Sequence, residues 1–524
     1  MRNKKKQLLT RLFLIIICSL FLTNCSKNEV SNYVRFSNTT AQVSAVSDTI
    51  TVRVEWSHAQ WSISPEGSNF ITGFSVTSGG DISKSESHTN IIVNLDHNLT
   101  TSTRSQNIIV TNTSTGETTK ISIVQNACIA VSMTINPAVT YQKVTGFGGM
   151  LDPTIWVGVS NQITLAETEK MYSQTGLGYN IIRMMVYPDK TDWDKDIEVA
   201  KKAQSLGAIV FASPWYPPAN MTGTRKSTFD ATQTKYLLPE YYKDYAAHLN
   251  EFVDYMSSKG LNLYAISIQN EPDMNWCSFT PEEIFNFVKT YGRQLGNVKT
   301  IAAESFHFNW EYTDPLLNST ETVNNFDIVG GHLYGGGLND YPLARQNGKE
   351  VWMTEHLLNE EKNGYDWLWT PSLVYVAKEI NDCMAANFNA YIWWYLKRYY
   401  SMLADDNAKS TVSFGETTKR GYILSHYAKY ATGRTRIGTT LQDADLLSTA
   451  YAGLNDMTVI IINNKTTPVI LQVASPTAIS IASAVETDAT KNMEPVATTL
   501  SSDKKSVNVA LTAQSIVSIK LILQ

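Results

Sequence analysis

The chain is poor in what a metal, disulfide or nucleic-acid protein needs. Its 524 residues hold only five cysteines and eight histidines. Two of the cysteines, Cys18 and Cys25, fall in an N-terminal leader. The other three, Cys128, Cys277 and Cys383, are an odd number with wide spacing and read as free or buried thiols, which excludes a disulfide framework. No Cys-x-x-Cys or His-x-x-x-His spacing occurs, so no metal and no cofactor is expected. Positive charge is scarce as well: 43 Lys and Arg stand against 48 Asp and Glu. Five of those cations, Arg2, Lys4, Lys5, Lys6 and Arg11, precede Cys25, so the remainder is more acidic still and nucleic acid is not an expected partner. A third glycine is missing from Gly146-Phe147-Gly148-Gly149, which leaves a doubly wound dinucleotide fold without its fingerprint. Beyond Leu12 to Leu22 there is no long apolar run, and internal repeats are not evident.

What is present is a pair of acidic strand ends. Leu263 to Ile268 is almost continuously apolar and turns polar at Gln269-Asn270-Glu271-Pro272; Glu350-Val351-Trp352-Met353-Thr354-Glu355-His356 repeats the pattern. Such runs suit strands covered by helices, and glutamate is a poor strand residue with little reason to sit at their ends by default. Candidate strands are Val144 to Met150, Asn180 to Tyr187, Ile209 to Pro217, Tyr264 to Glu271, Lys299 to Ser305, Ile328 to Tyr334, Val351 to Glu355 and Tyr391 to Tyr395. Helical spacing fills several gaps, as in Pro239 to Lys259 and in Pro281 to Leu295 with Thr280 as N-cap. This alternation predicts an α/β chain with a (β/α)8 barrel over 144–433, whose chemistry gathers at the C-terminal strand ends. Two carboxyls about 5 to 5.5 Å apart there would act as nucleophile and acid/base of a retaining glycosidase.

Other strand ends fit a sugar site. Trp215, His332, Tyr334 and Trp394 offer aromatic faces and hydrogen-bonding groups, with core packing the competing reading for each aromatic. Arg183 is a lone cation inside the apolar Ile181-Ile182-Arg183-Met184, so it should meet a carboxylate, and Glu355 is the expected one.

Taken in order, Gly146-Phe147-Gly148-Gly149, Ser213-Pro214-Trp215, Ile268 to Pro272, His332-Leu333-Tyr334-Gly335-Gly336, Trp352 to His356, Trp393 to Arg398 and Lys419-Arg420-Gly421-Tyr422 resemble glycoside hydrolase family 30. The likeness spans roughly 130–524 and is strongest to the bacterial glucuronoxylanase subfamily. It implies Glu271 as general acid/base, Glu355 as nucleophile and Asn270 on the sugar 2-hydroxyl. It also implies endo-cleavage of β-1,4-xylan, polymeric or oligomeric, at a position set by a methylglucuronic acid branch. Arg398 matches the family's uronate-binding arginine, with Tyr400 beside it. One departure is Leu357, followed by Asn359-Glu360-Glu361-Lys362, where the subfamily has an aromatic residue and a small polar loop. Two acids near an anionic branch would repel it unless they point away. Rival readings are xylobiose-releasing exo-xylanase, β-1,6-glucanase, a non-catalytic glycan-binding surface lipoprotein, or an adhesion protein.

The family pattern further implies a side β-sandwich from 128–143 and 434–524, and short β runs such as Met457 to Asn464, Val469 to Val473 and Ser506 to Leu511 agree. Residues 33–127, rich in Ser, Thr and Asn, predict a separate immunoglobulin-like sandwich. Trp61-Ser62-Ile63, Asn98 with Arg104, and Ile123 to Asn126 make it similar to the BACON-type domain of Bacteroidetes carbohydrate enzymes, read here as a spacer. The basic start, the apolar run and Leu22-Thr23-Asn24-Cys25 over 1–25 read as a secretory signal ending in a lipobox. Acylation of Cys25, followed by a linker over 26–32, would hold a monomer to the outer membrane, on the cell surface or the periplasmic face.

Overall fold

A computed structural model describes residues 31–227, 229–230, 232–358 and 369–524. The leader with Cys25, most of the linker, and the loop containing Asn359 to Lys362 lie outside the described residues. The chain divides into two compact units with the boundary after Cys128. Among the described residues no helix is long and apolar enough to cross a membrane.

The N-terminal unit packs a four-stranded sheet against a five-stranded one. Its strands alternate buried and open positions, as Thr118–Gln125 does, so one face of each sheet enters a common core. Trp61 lies in that core at 1% exposure, which removes it from any contact surface. Asn98 is buried too, donating to the carbonyls of Ser102 and Asn126, while Arg104 donates to Gln125 and to the Asp96 carbonyl. The residues that carry the domain resemblance therefore pin loops and strand ends.

The second unit contains a closed barrel of eight strands, each parallel to the next. These are β1 Gly146–Met150, β2 Ile181–Val186, β3 Ile209–Pro214, β4 Ala265–Ser267, β5 Lys299–Ser305, β6 Ile328–His332, β7 Glu350–His356 and β8 Ala390–Trp393. β4 is shorter than its apolar run suggests. Past Ser267 the chain bends inward: Asn270 N–H donates to the Pro214 carbonyl and Glu271 N–H to that of Glu304, so Glu271 sits on a loop beyond its strand. The glycines of Gly146-Phe147-Gly148-Gly149 have a packing role. A Cβ on Gly148 would lie 1.7 Å from the Ile181 carbonyl oxygen, so β1 and β2 can approach only without it. Outside the strands, helix Tyr242–Ser258 turns Leu249, Phe252 and Met256 inward, and Pro281–Tyr291 begins at a Thr280/Glu283 capping box.

Ten strands form the side β-sandwich, a single sheet that coils until Thr498 Oγ1 reaches the Ala482 carbonyl at 3.0 Å. The 15-residue strand Ile129–Lys143, which precedes the barrel, runs between Thr435–Leu441 and Val469–Ala474, which follow it. Helix Lys419–Tyr430 joins the two bodies through buried His426, whose ring nitrogens meet Ser518 Oγ at 2.7 Å and Thr487 Oγ1 at 2.9 Å. Burial holds this imidazole down at about 3, so it stays neutral there.

Gly148→Ala tests the β1/β2 approach. It should destabilise the barrel by about 3 kcal/mol or more, read as a lowered thermal midpoint and weaker near-ultraviolet circular dichroism. An unchanged midpoint would mean that β1 and β2 can separate without penalty.

Candidate active site

Every residue of β2 is buried, yet one of them is Arg183, at 0% exposure. An unpaired guanidinium there would be prohibitive, and the neighbouring strands supply its partners. Nη1 donates to Glu355 Oε2 at 2.5 Å, at the end of β7. Nη2 donates to Asn270 Oδ1 at 2.6 Å and to Glu304 Oε1 at 3.2 Å, and Nε to Ser213 Oγ at 3.1 Å. Its flat face lies over Trp215, 4.7 Å from the ring centroid. Because Asn270 turns its oxygen to Arg183, its Nδ2 is left buried with no partner among the described residues.

Sequence reasoning missed Glu304. The signal was present: Ile301-Ala302-Ala303-Glu304 is another apolar strand ending in an acid, on β5. Ser213 Oγ donates to its Oε2 at 2.8 Å. Burial opposes its charge, but Arg183 and His332 outweigh burial and hold the carboxyl at about 2. Both Glu304 and Glu271 adopt left-handed backbone, with φ of +54° and +48°, a conformation that costs a non-glycine residue about 1 kcal/mol or more.

His332 ends β6 between the acids. Its Nδ1 lies 2.9 Å from Glu271 Oε1 and 3.9 Å from Glu355 Oε1, and its Nε2 4.0 Å from Glu304 Oε1. Burial disfavours the imidazolium, yet Glu355, Glu271 and Glu304 together push it up to about 9. Glu355 is raised above the usual carboxylate range by burial, opposed by His332 and Arg183. Tyr334 O–H donates to its other oxygen, Oε1, at 3.0 Å, and Trp276 Nε1 donates to Glu271 Oε2 at 2.7 Å. Trp276 lies in an irregular loop, so no strand or helix periodicity pointed to it.

Glu271 and Glu355 face one cavity of about 430 Å³, walled by Trp215, Tyr216, Trp276, Phe306, Tyr334 and Trp394. Trp394 and Tyr334 are half-buried at its edge. Trp215 is only 1% exposed: Arg183 covers one face and Trp156 packs at 5.2 Å, so it backs the cavity more than it presents a platform. Arg398 and Tyr400 lie on the loop after β8, outside that wall. The Arg398 guanidinium lies 5.7 Å over the Tyr395 ring, which stacks at 3.9 Å on Trp394 in the cavity wall, so the loop stands beside the cavity. Arg398 Nε is buried without a partner among the described residues, and its Nη1 stands 3.9 Å from Asp405 Oδ2.

Glu271, His332 and Glu355 bring one donor atom each within 4.8 Å of one another, the grouping among the described residues that could hold a metal ion. The Arg183 guanidinium already occupies Glu355 with positive charge, which argues for acid/base chemistry by the pair. The site thus holds two carboxyls across a cavity, one gripped by Arg183 and Tyr334, the other by His332 and Trp276.

The His332 shift has a signed consequence. A group raised from 6.5 to about 9 adds stability that is fully present below about 6.5 and lost as pH rises through about 9. That amounts to roughly 3 kcal/mol. Urea unfolding at pH 6 and pH 10 should show wild type losing about that much more than His332→Gln; equal losses would mean that the imidazole is neutral in the fold.

No protein-family model matches the chain. It is 39% identical over 352 residues to glucuronoxylanase XynC of Bacillus subtilis strain 168, covering 65% of this chain and 80% of that one. Among solved structures it is similar to a GH30 endoxylanase from Clostridium papyrosolvens C71, at 33% identity and TM-score 0.66 over 75% of this chain and 100% of that one. A glycoside hydrolase family 30 subfamily 8 xylanase from Clostridium acetobutylicum gives 32% identity and TM-score 0.65, over 75% and 99% of the two chains. With the paired carboxyls at the strand ends of the same barrel and side sandwich, the chain belongs to glycoside hydrolase family 30 and is a glycosidase.

Proposed function

We propose that this enzyme is an endo-acting, retaining β-1,4-xylanase that cuts glucuronoxylan where a methylglucuronic acid branch directs it. The observation that carries the reading is that one carboxyl oxygen each of Glu271 and Glu355 lie within 4.8 Å of one another in an aromatic-walled cavity, which favours the close pairing of double-displacement enzymes over the wider spacing of inverting ones. Glu355, held by Arg183, attacks the anomeric carbon of a xylose unit while Glu271 passes its proton to the departing glycosidic oxygen. The C–O bond breaks and a glycosyl ester on Glu355 forms. Water then attacks the same carbon, giving its proton to Glu271, and the Glu355 carboxylate leaves with configuration retained. Tyr334 and Arg183, one on each oxygen, stabilise that leaving carboxylate. The free Nδ2 of Asn270 supplies a donor for the sugar 2-hydroxyl.

Uronate selection rests on Arg398. Its guanidinium hydrogen-bonds Tyr400 and stands 3.9 Å from Asp405, its Nε has no partner among the described residues, and its planar fork suits bidentate recognition of a branch carboxylate, which a lysine would not reproduce. The glucuronoxylanase relative favours the same substrate. Leu357, where the subfamily has an aromatic, packs half-buried against the barrel core. In this reading 1–25 is a lipoprotein leader, Cys25 anchors a monomer at the outer membrane, the 33–127 sandwich is a BACON-type spacer, and 144–433 with its side sandwich performs catalysis.

Protein lacking residues 1–25 is incubated with glucuronoxylan and with unsubstituted xylan, and products are followed by mass spectrometry and proton NMR. Expected are fragments bearing one methylglucuronate each, β at the new anomeric centre, with Glu355→Ala slower by about 10⁴-fold or more. An α product would end the double-displacement reading. Arg398→Lys should lose about 10- to 100-fold on glucuronoxylan alone; equal loss on both xylans would remove the uronate rule. Expressed full length, Cys25→Ala should move the protein from the membrane to the soluble fraction.

A further inference from the structure

A second recess of about 400 Å³ adjoins the catalytic cavity and shares Met274 and Phe306 with it. Its other walls come from the antiparallel hairpin Thr222–Lys226/Gln233–Leu237 after β3, the loop after β4 and the loop after β5. In a closed eight-stranded barrel β4 stands across from β8, so this recess and the Arg398 loop flank the carboxyls from opposite sides. Glu271, which protonates the departing oxygen, is on the same loop as Asp273 and Met274.

Three features of the recess suit a neutral sugar. Phe229, at the hairpin tip, is 56% exposed and packs edge-on to Phe306 at 6.0 Å, and Phe306 stacks on Tyr334 at 5.0 Å, so aromatic surface runs outward from Glu355. Asp273 Oδ1 accepts from the Phe306 N–H at 2.9 Å, while its buried Oδ2 has no partner among the described residues. Arg225 lines the recess but is paired with both oxygens of Glu283 at 2.7 and 2.8 Å, so with Asp273 and Glu311 also in the wall little positive charge is left to meet an anionic branch.

We propose that this recess is a leaving-group-side subsite for an unbranched β-linked pentose unit, with Phe229 as its platform and Asp273 Oδ2 as its hydroxyl acceptor. The assignment rests on the xylanase reading above and extends it: the acidic branch belongs to the Arg398 side, and the chain released from Glu271 must be bare where it crosses Phe229.

The test uses xylo-oligosaccharides with one methylglucuronate branch and either one or three xyloses beyond the bond to be cut. Wild type should show a higher kcat/KM for the longer probe; Phe229→Ala should shrink that long-to-short ratio by about tenfold, the size of one aromatic contact, and Phe229→Trp should retain it. A ratio that is unchanged in Phe229→Ala, or a wild type indifferent to length, overturns the subsite while leaving the xylanase reading intact. Failure of wild type to cut either probe or glucuronoxylan overturns both.

Discussion

A single buried positive charge organises the active site. Arg183 lies wholly inside the barrel, and its donors reach partners contributed by β3, β5, β7 and the loop after β4. Each contact helps offset the desolvation of the guanidinium, and together they fix the groups at the floor and wall of the cavity. The Asn270 amide is oriented, one oxygen of Glu355 is secured, and Glu304 is kept ionised at the floor. His332 supplies a second cation among the three carboxyls, and with Arg183 it balances two of them. The same contacts thus balance charge and orient the carboxyls.

Much of this was legible because the physics is local. All the barrel strands overlap candidate runs read from the sequence, several ending in acidic or aromatic residues, and helices were marked by spacing and caps. Where local rules failed, longer-range packing had decided. The apolar run to Ile268 promised a strand reaching Glu271, but hydrogen bonds to Pro214 and Glu304 pull the chain inward after Ser267. Glu304 obeyed the rule used for Glu271 and Glu355, and was overlooked because a pair already sufficed for the chemistry. Trp276 and Phe229 sit in irregular loops, where neither period nor propensity says which way a ring will face. Trp215 read as a platform, yet the flat guanidinium of Arg183 takes the place a sugar would have taken.

In the two β-rich parts the sequence is informative for different reasons. In the N-terminal unit, alternation along short strands names the core directly, Trp61 included. In the side sandwich, a strand such as Asp456–Asn463 is buried at nearly every position because sheet faces the barrel on one side and its own fold on the other, so no alternation shows. His426 marks that junction as a buried neutral imidazole between two hydroxyls.

The placement of Ile129–Lys143 governs how the catalytic unit is made. Gln142 on that strand touches Arg436 across the sheet, 294 residues away in sequence. A ribosome releases this strand early and its neighbours last, so it stays without its flanking strands through nearly the whole synthesis of the barrel. Loop-closure entropy delays such pairing, and an exposed strand is open to wrong partners meanwhile. Completion of the side sandwich therefore waits on strands made after the barrel, and a message cut short before Val469–Ala474 leaves one edge of Ile129–Lys143 unpaired beside a barrel already closed.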